Sequence, residues 1–359
     1  QYTDQTVAAN SVIVVCGDKS KVVSNSDMWE TSTNYQTYQT QTTGFDGEGQ
    51  ITSAITYVTS ENNPKVYWVT GHGEASESDL STNFSDAINK NNVEISDLAL
   101  MTDDIPEDAE ELVIMSPTTD FSEDEANKVI TYLENGGKLL MFTSYTGTDM
   151  PNLDSILENY GVKRSSGIVV ETDSQHYYPQ MPYYLLPNIQ SDDITTEVKS
   201  NYILMPVAQA IQKLDSYRDT ITIKSLLTTT EDAYIENDPE NSTWSKSADS
   251  ETGAFDLGVS ITETVDDKET QIIYFSSASM LSSQIDQAIS GANSKLAATA
   301  LTSMCDVEQT VVIPSKSTSY TNLVFTQGAV NTWSIITIAG IPLVLVVIGV
   351  MIWMKRRKQ

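Results

Sequence analysis

The feature that most restricts the fold of this chain is an uninterrupted apolar run near its C-terminus. Residues 334–354 contain no charged side chain, and Trp333 and Trp353 stand at the two ends of the run. A helix of this length rises about 32 Å, which matches the hydrocarbon core of a bilayer. Tryptophan is enriched at membrane surfaces, and Pro342 is tolerated in a membrane span although it breaks soluble helices. The run predicts a transmembrane helix at 333–354. A buried core helix is the alternative, and it is disfavoured because only a basic tail follows.

Charge is distributed unevenly along the chain. The 359 residues carry 20 Lys and Arg against 49 Asp and Glu, a net charge of −29, and every acidic residue lies at or before Glu308. A surface this acidic repels phosphate backbones, which argues against nucleic-acid binding. Basic residues mark the cytoplasmic side of a membrane span. The terminal cluster of Lys355, Arg356, Arg357 and Lys358 therefore predicts that residues 1 to about 330 lie outside the cytoplasm.

The order of these segments predicts a domain organisation. The chain opens at Gln1 and has no apolar targeting run in its first 30 residues, so we expect an N-terminal signal or second membrane anchor to be missing from this sequence. The strand-like residues 11–18 then belong to the end of a first domain. The predicted units are an N-terminal region and linker (1–59), an extracytoplasmic domain (60–305), a β-like stalk (306–332), the transmembrane helix (333–354) and a cytoplasmic basic tail (355–359).

Apolar runs alternate with helical patterns through the predicted extracytoplasmic domain. Ser122 and Glu125 have the spacing of a capping box, and Gly136 suits the left-handed position that ends a helix. Strands and helices joined by short links are typical of a mainly parallel sheet with helices on both faces. The predicted fold class is therefore α/β, with one added C-terminal transmembrane helix. Strands are predicted at the apolar runs 65–70, 93–100, 111–117, 138–145 and 270–280.

Two segments of this domain, and its cysteines, need separate interpretation. Residues 177–187 (YYPQMPYYLLP) are too rich in Pro and Tyr for a regular element and predict an ordered loop or lid. Residues 231–253 are polar and acidic, which predicts a surface loop. Cys16 and Cys305 could form one disulfide, but two separate buried thiols are the favoured interpretation.

The best-placed polar cluster is Gly71-His72-Gly73-Glu74, directly after the strand predicted at 65–70. Ligands of open α/β sheets bind where strands end at their carboxyl edge. The glycines permit tight backbone geometry, and His72 beside Glu74 could bind a ligand or exchange a proton. The alternative, favoured on the sequence alone, is a tight turn in which both side chains hydrogen-bond neighbouring loops.

Other chemistries find little support in the sequence. It contains no G-x-x-x-x-G-K-[ST] phosphate-binding loop and no G-x-S-x-G hydrolase elbow. Ser116 follows a predicted strand, but Pro117 comes next and only His72 or His176 could serve as its base. Two His and two Cys leave little material for a transition-metal site. We therefore expect no catalytic residue, no cofactor and no metal.

Several motifs occur in a particular order along the chain. The string VYWVTGHGE (66–74) is followed in residues 103–141 by IPEDA, a strand ending in Pro, an S-x-x-E helix and GG before a strand. In this order, over residues 45–358, the sequence resembles the GldG family, first named for gliding motility, whose members are auxiliary subunits of ABC-type transport systems. The further matching segments are FDGEGQITSAITYV (45–58), NLDSILENYGV (152–162), SLLTTTEDAY (225–234) and the Pro-containing C-terminal span.

The resemblance implies a membrane-anchored extracytoplasmic subunit that works with an ABC-2-type permease and a separate ATPase. It also implies an α/β domain related to class I glutamine amidotransferases, of a kind found in an intraflagellar-transport protein, and a role for the GHGE residues 71–74. No Cys follows the strand at 111–117, so amidotransfer is not expected. Two alternatives stay open. One is a structural or adhesive surface protein, for which the Tyr-rich segment 177–187 is the hint; the other is an enzyme acting on surface glycans or peptides through His72 and Glu74.

Overall fold

The computed structural model describes all residues except 1–2, 4–5, 35–38, 61–62, 241–242, 306–315, 318–324 and 358–359. The strands in the described residues are β1 Val12–Cys16, β2 Lys19–Val23, β3 Trp29–Asn34, β4 Gln39–Phe45, β5 Lys65–Val69, β6 Glu94–Leu98, β7 Glu111–Met115, β8 Lys138–Phe142, β9 Val162–Val170, β10 Tyr177–Tyr178, β11 Met181–Leu185, β12 Asn188–Ile189, β13 Met205–Pro206, β14 Gln209–Lys213, β15 Ile221–Thr228, β16 Tyr234–Glu236, β17 Asp256–Val265, β18 Lys268–Phe275 and β19 Lys316–Ser317. The α-helices are α1 Gly47–Thr59, α2 Thr82–Lys90, α3 Glu123–Glu134, α4 Pro151–Asn159, α5 Ser283–Ala288, α6 Ala292–Met304, α7 Gln327–Ile335 and α8 Ile341–Arg357.

A mixed sheet of eleven of these strands forms the centre of the protein. Its middle strands, in the order β6-β5-β7-β8-β18, run parallel to one another. All five residues of β7 are buried. Strands covered on both faces read as continuous apolar runs, which is why the sequence pattern located them. The predicted α/β fold with a mostly parallel central sheet is confirmed.

Successive residues of the parallel strands contribute their side chains to two separate hydrophobic cores. Leu112 and Ile114 of β7 belong to the core that α3 and α4 cover. Val113 and Met115 of the same strand belong to the core that α2 and α6 cover. This division follows from the pleat of a strand, because neighbouring side chains point to opposite faces. Burying one side chain of this size stabilises the fold by about 1.5–3 kcal/mol relative to leaving it exposed.

Helix α3 begins and ends as the sequence predicts. The backbone N–H of Glu125 donates to Ser122 Oγ at 3.3 Å, and the N–H of Ser122 donates to Glu125 Oε2 at 2.9 Å. The capping box therefore satisfies two backbone donors that have no partner within the helix. Gly136 follows the last turn with a φ of +90°, a conformation that glycine adopts without steric cost.

Six further strands extend the parallel core through antiparallel pairs. The extension runs from β18 through β17, β14 and β9 to β16, and β15 and β12 join beside β17. The sequence did not predict this half of the sheet. Its strands mix apolar and polar residues, and their partners lie far along the chain; β9, for example, pairs with β14 about 45 residues later.

The prediction of an irregular loop at residues 177–187 is wrong. Strands β10 and β11 pair as a hairpin in which Tyr178 lies opposite Met181, and β13 adds a third strand. Pro179 and Gln180 form the turn, and Gln180 has a φ of +67°. This combination is typical of a type II turn, in which proline is common at the first central position and the second has positive φ.

The N-terminal region packs outside the central sheet. Strands β1 and β2 form a separate hairpin, and β3 pairs with β4, which also pairs with β19. Cys16 at the end of β1 is exposed, whereas Cys305 after α6 is buried, and both thiols are free. The prediction of two buried thiols is therefore right for Cys305. It is wrong for Cys16, because β1 is not a core strand.

A single apolar helix follows the domain. Residues Gln327–Arg357 form 31 continuous helical residues, and no part of their most apolar stretch is buried within the protein. Pro342 is the second residue of α8, directly after a π-helical turn at Ile336–Gly340. A local change of hydrogen-bonding pattern of this kind accommodates a proline in a membrane helix. The predicted apolar helix is confirmed, and it begins six residues earlier than predicted. Most of the predicted stalk 306–332 lies outside the described residues, and its final part is helical.

Candidate functional site

The GHGE segment forms a tight loop at the carboxyl end of β5. Gly71 has a φ of +122° and Gly73 a φ of +77°, both outside the range that other residues adopt readily. A side-chain carbon added at Gly73 would overlap the Oγ1 of Thr118. The loop that follows β7 therefore approaches residue 73 so closely that this position needs glycine.

The side chain of His72 lies between two carboxylates. Its Nδ1 is 3.2 Å from Glu74 Oε1, and its Nε2 is 3.2 Å from Glu125 Oε2. The three side chains are only 5%, 2% and 5% exposed, respectively. The imidazole ring also packs against Phe121, with a centroid distance of 4.2 Å. We call His72, Glu74 and Glu125 the His72 cluster.

The contacts of Glu125 determine its charge within the His72 cluster. A neutral imidazole donates through only one nitrogen, whereas both nitrogens donate in the imidazolium form. Burial raises the pKa of Glu125, but hydrogen bonds from Ser122 and the proximity of His72 outweigh burial and hold that pKa below its usual value. Glu125 is therefore ionised at neutral pH and accepts hydrogen bonds from the N–H and the hydroxyl of Ser122.

The backbone around His72 fastens three elements to one another. The carbonyl oxygen of His72 accepts hydrogen bonds from the N–H groups of Thr118 and Thr119 at 2.9 and 3.0 Å. The N–H of Ala75 donates to the carbonyl of Met115 at 2.9 Å. Together with the bond from His72 to Glu125, these contacts join the loop after β5 to the loop after β7 and to the start of α3.

Two of the three members of the His72 cluster can be recognised from the sequence. His72 and Glu74 lie together as expected, and the exposed backbone at Gly71 and Gly73 is what the loop presents to solvent. Glu125 was recognised only as a helix cap. Its second role depends on α3 and the loop after β5 meeting at one edge of the sheet, and no local pattern reveals that meeting. A ligand-binding role of Gly71, His72, Gly73 and Glu74 stays a prediction.

Ser116 lies on the same edge of the sheet. It has a φ of +54° at the end of β7, and its Oγ donates to Ser144 Oγ at 2.8 Å. The ring nitrogens of His72 contact the two carboxylates, while Nδ1 of His176 lies 3.2 Å from the carbonyl oxygen of Leu186. Among the described contacts, therefore, no histidine activates Ser116 as a nucleophile.

A second buried polar group lies at the opposite edge of the sheet. Glu111, the first residue of β7, is fully buried, and the thiol of Cys305 donates to its Oε2 at 3.3 Å. Its Oε1 has no hydrogen-bond partner within the described part of the chain. Burial raises the pKa of Glu111 well above 4.5 and also raises the pKa of Cys305. A thiol that stays protonated is a poor nucleophile, so this pair does not resemble a catalytic one.

In the part of the chain that the structure covers, no three His, Cys, Asp or Glu side chains form a group that could hold a metal ion.

The residues predicted to anchor the chain in a membrane lie on the C-terminal helix. Trp333 is 62% exposed and Trp353 is 58% exposed. Lys355, Arg356 and Arg357 form the last turn of α8, and Lys358 lies outside the described residues. This helix ends in positive charge after a long apolar surface, as the sequence predicted.

Comparison with known families identifies the domain. A family model described as an ABC-type uncharacterized transport system (ABC_transp_aux) matches residues 63–303. The chain belongs to this ABC transport auxiliary family. Membership confirms the general ABC-transport part of the resemblance and, with the apolar helix, fits a membrane-anchored accessory subunit that associates with other transporter components. The narrower assignment to GldG stays a prediction.

Solved structures give more distant similarities to this family member. The N-terminal domain of mmIFT52 is 15% identical with a TM-score of 0.49, covering 67% of this chain and 96% of that one. Exo-beta-1,4-mannosidase Op5Man5 from Opitutaceae bacterium strain TAV5 is 10% identical with a TM-score of 0.34, covering 70% and 37%. A thua-like protein from Parabacteroides merdae is 13% identical with a TM-score of 0.37, covering 71% and 98%. None of the curated proteins is similar enough to count as a relative. The amidotransferase-like assignment stays a prediction.

Proposed function

We propose that this chain is a non-catalytic GldG-type subunit of an ABC-2-type transporter, working with a separate permease and a separate ATPase. Family membership supports the transport role. The observation that carries the proposal is the apolar helix Gln327–Arg357, which the folded domain leaves uncovered. A helix of this length and composition is stable only when lipid or other membrane helices surround it. The permease helices are its proposed neighbours.

The α/β domain is proposed to lie on the extracytoplasmic side. The last turn of α8 carries Lys355, Arg356 and Arg357, whereas every acidic residue precedes the helix. Loops rich in Lys and Arg are retained in the cytoplasm during insertion. The basic end therefore sets the orientation, and the acidic domain follows on the other side, where it binds or gates the transported substrate.

Two observations support a role without catalysis by this chain. The ring of His72 contacts a carboxylate through each of its nitrogens and is almost fully buried, so it has no free position for a substrate. The sequence also lacks a Walker motif, so ATP hydrolysis is assigned to the partner ATPase. These points favour the transporter subunit over the enzyme that acts on surface polymers.

Co-purification tests this proposal. The full chain is expressed with an ABC-2-type permease and an ATPase of the same genome, extracted in mild detergent and purified through a tag on the chain. The matched control replaces residues 334–354 by an unrelated single-span helix of the same length and keeps the outer domain and the basic tail. We expect the native chain to retain both partners and the control to lose them while remaining in the membrane. Recovery of the native chain alone would overturn the proposal.

A further inference from the structure

The folded domain touches the start of the membrane helix through the β10–β11 hairpin. The N–H of Gly328 donates to the carbonyl of Ser174 at 2.6 Å, and the N–H of Gln180 donates to Gln327 Oε1 at 2.8 Å. A side-chain carbon added at Gly328 would overlap the amide of Gln175. We call residues 174–184 the interfacial hairpin. Its turn and its preceding loop lie directly against the first helical turn of α7.

This attachment fixes the depth of the hairpin relative to a bilayer. Gly328 precedes Trp333 by five residues, which in a helix is a rise of about 7.5 Å. The headgroup layer on each side of the hydrocarbon core is about 5–8 Å thick. If the apolar span starts at Trp333, the turn of the hairpin therefore lies at the level of the headgroups.

The composition of the interfacial hairpin suits that depth. Residues 174–191 contain no Asp, Glu, Lys or Arg, although the chain as a whole carries a net charge of −29. Met181 beside the turn is 37% exposed. Tyrosine is enriched at membrane surfaces because its ring is apolar and its hydroxyl is polar. The four tyrosines of the hairpin are all partly exposed, namely Tyr177, Tyr178, Tyr183 and Tyr184.

We propose that the interfacial hairpin is a second membrane contact, resting in the lipid headgroup layer beside the point where the helix enters. Two attachments, the helix and the hairpin, hold the α/β domain at one tilt on the membrane. A domain tethered only by a helix would rotate about it. This inference rests on the proposed membrane anchoring by α7 and α8 and adds a lipid-binding surface to the outer domain.

Fluorescence quenching in vesicles tests the contact. The full chain carries Cys16→Ser, and Met181→Cys is labelled with an environment-sensitive fluorophore; Cys305 stays buried and unlabelled. The labelled chain is reconstituted in phosphatidylcholine vesicles with and without lipid spin-labelled at the headgroup. The matched control is Tyr217→Cys, because Tyr217 is 42% exposed and lies beside Gly161, just before β9. The nine residues of β9 place that site about 26 Å from the end that leads into the hairpin.

We expect the label at residue 181 to shift its emission to shorter wavelength and to lose intensity when spin-labelled lipid is present. The label at residue 217 should do neither. Equal behaviour at the two positions would overturn the proposal, as would shielding at 181 that occurs only after the permease is added, because the occupant would then be a protein. Labelling Gln180→Cys repeats the test at the turn if the Met181 variant folds poorly.

Flotation of the same vesicles separates this inference from the proposed function. A chain that fails to float with lipid would overturn both the anchor and the hairpin contact. A chain that floats and shows no quenching at 181 would overturn only the hairpin contact. Failed co-purification with permease and ATPase, together with quenching at 181, would overturn only the transporter role.

Discussion

Replacing His72 by leucine tests whether the His72 cluster holds the fold together. The substitution keeps an apolar side chain against Phe121 but removes the partner of two carboxylates whose side chains are 2% and 5% exposed. Removing one partner of a buried hydrogen bond leaves the other unsatisfied, which costs about 1–3 kcal/mol and more for a charged group. Two carboxylates lose this partner, but Ser122 still donates to Glu125 through its N–H and its hydroxyl, so we expect a total loss of about 3 kcal/mol. For a domain of this size that corresponds to a fall in Tm of about 6–12 °C.

Thermal unfolding of the full chain in detergent, followed by circular dichroism at neutral pH, measures this change. The control is His176→Leu, because His176 is the other histidine of the chain. Its side chain is 27% exposed, and its Nε2 lies 3.9 Å from Asp173 Oδ2. Pairs of this kind contribute about 0–1 kcal/mol. The control should therefore lose much less stability than His72→Leu.

A double-mutant cycle with Glu125→Gln identifies the source of the loss. If the contact between His72 and Glu125 stabilises the fold, the double variant should recover about 1–3 kcal/mol relative to the sum of the single variants. A His72→Leu variant whose Tm equals that of His176→Leu would refute this prediction. So would strictly additive losses in the cycle, because the His72–Glu125 contact would then carry no energy.

Three further predictions concern other parts of the chain. Burial raises the pKa of Glu111, so folded Glu111 keeps its proton at pH values where the unfolded chain has lost it. Its contribution to stability is therefore complete below about pH 4.5 and falls by about 1.4 kcal/mol per pH unit as the pH rises towards the folded pKa. Urea unfolding of Glu111→Gln should show a flatter pH dependence over this range, and parallel curves would contradict the assignment. Gly73→Ala should lower stability by about 1–3 kcal/mol because of its positive φ and the nearby Thr118, whereas Gly253→Ala, with no atom close to the added carbon, should change it little. Val344→Lys, in the middle of the exposed apolar helix, should cost about 3 kcal/mol of insertion and reduce flotation with vesicles; unchanged flotation would argue against a membrane span.

The parallel half of the sheet could be predicted because its signals are local. Strands β5, β7 and β8 are buried on both faces and so appear as apolar runs, and the capping box of α3 lies within four residues. The antiparallel half and the β10–β11 hairpin could not be predicted in this way. Their strands are short or mixed in polarity. Which strands they pair with depends on the sheet edge that the parallel strands leave open.

The His72 cluster likewise has one part that a local sequence motif predicts and another part that it does not. The GHGE motif marked the loop, but the third member, Glu125, follows it by 51 residues and appeared only as a cap. The imidazole of His72 contacts two carboxylates because the loop after β5 and the start of α3 lie together at the carboxyl edge of adjacent parallel strands. Tertiary structure also placed Cys16 at the surface and Cys305 against Glu111, although both read as similar isolated thiols.

The sequence by itself determined the apolar helix, its basic end and the alternation of strands and helices, because each depends on composition and spacing within one segment. Only the tertiary structure decided which side chains surround His72 and which hairpin lies against the first turn of the C-terminal apolar helix. His72 and Glu125 are 53 positions apart, and Gln180 and Gln327 are 147 apart, so the energy of these contacts depends on burial and hydrogen bonding that exist only after the sheet has formed.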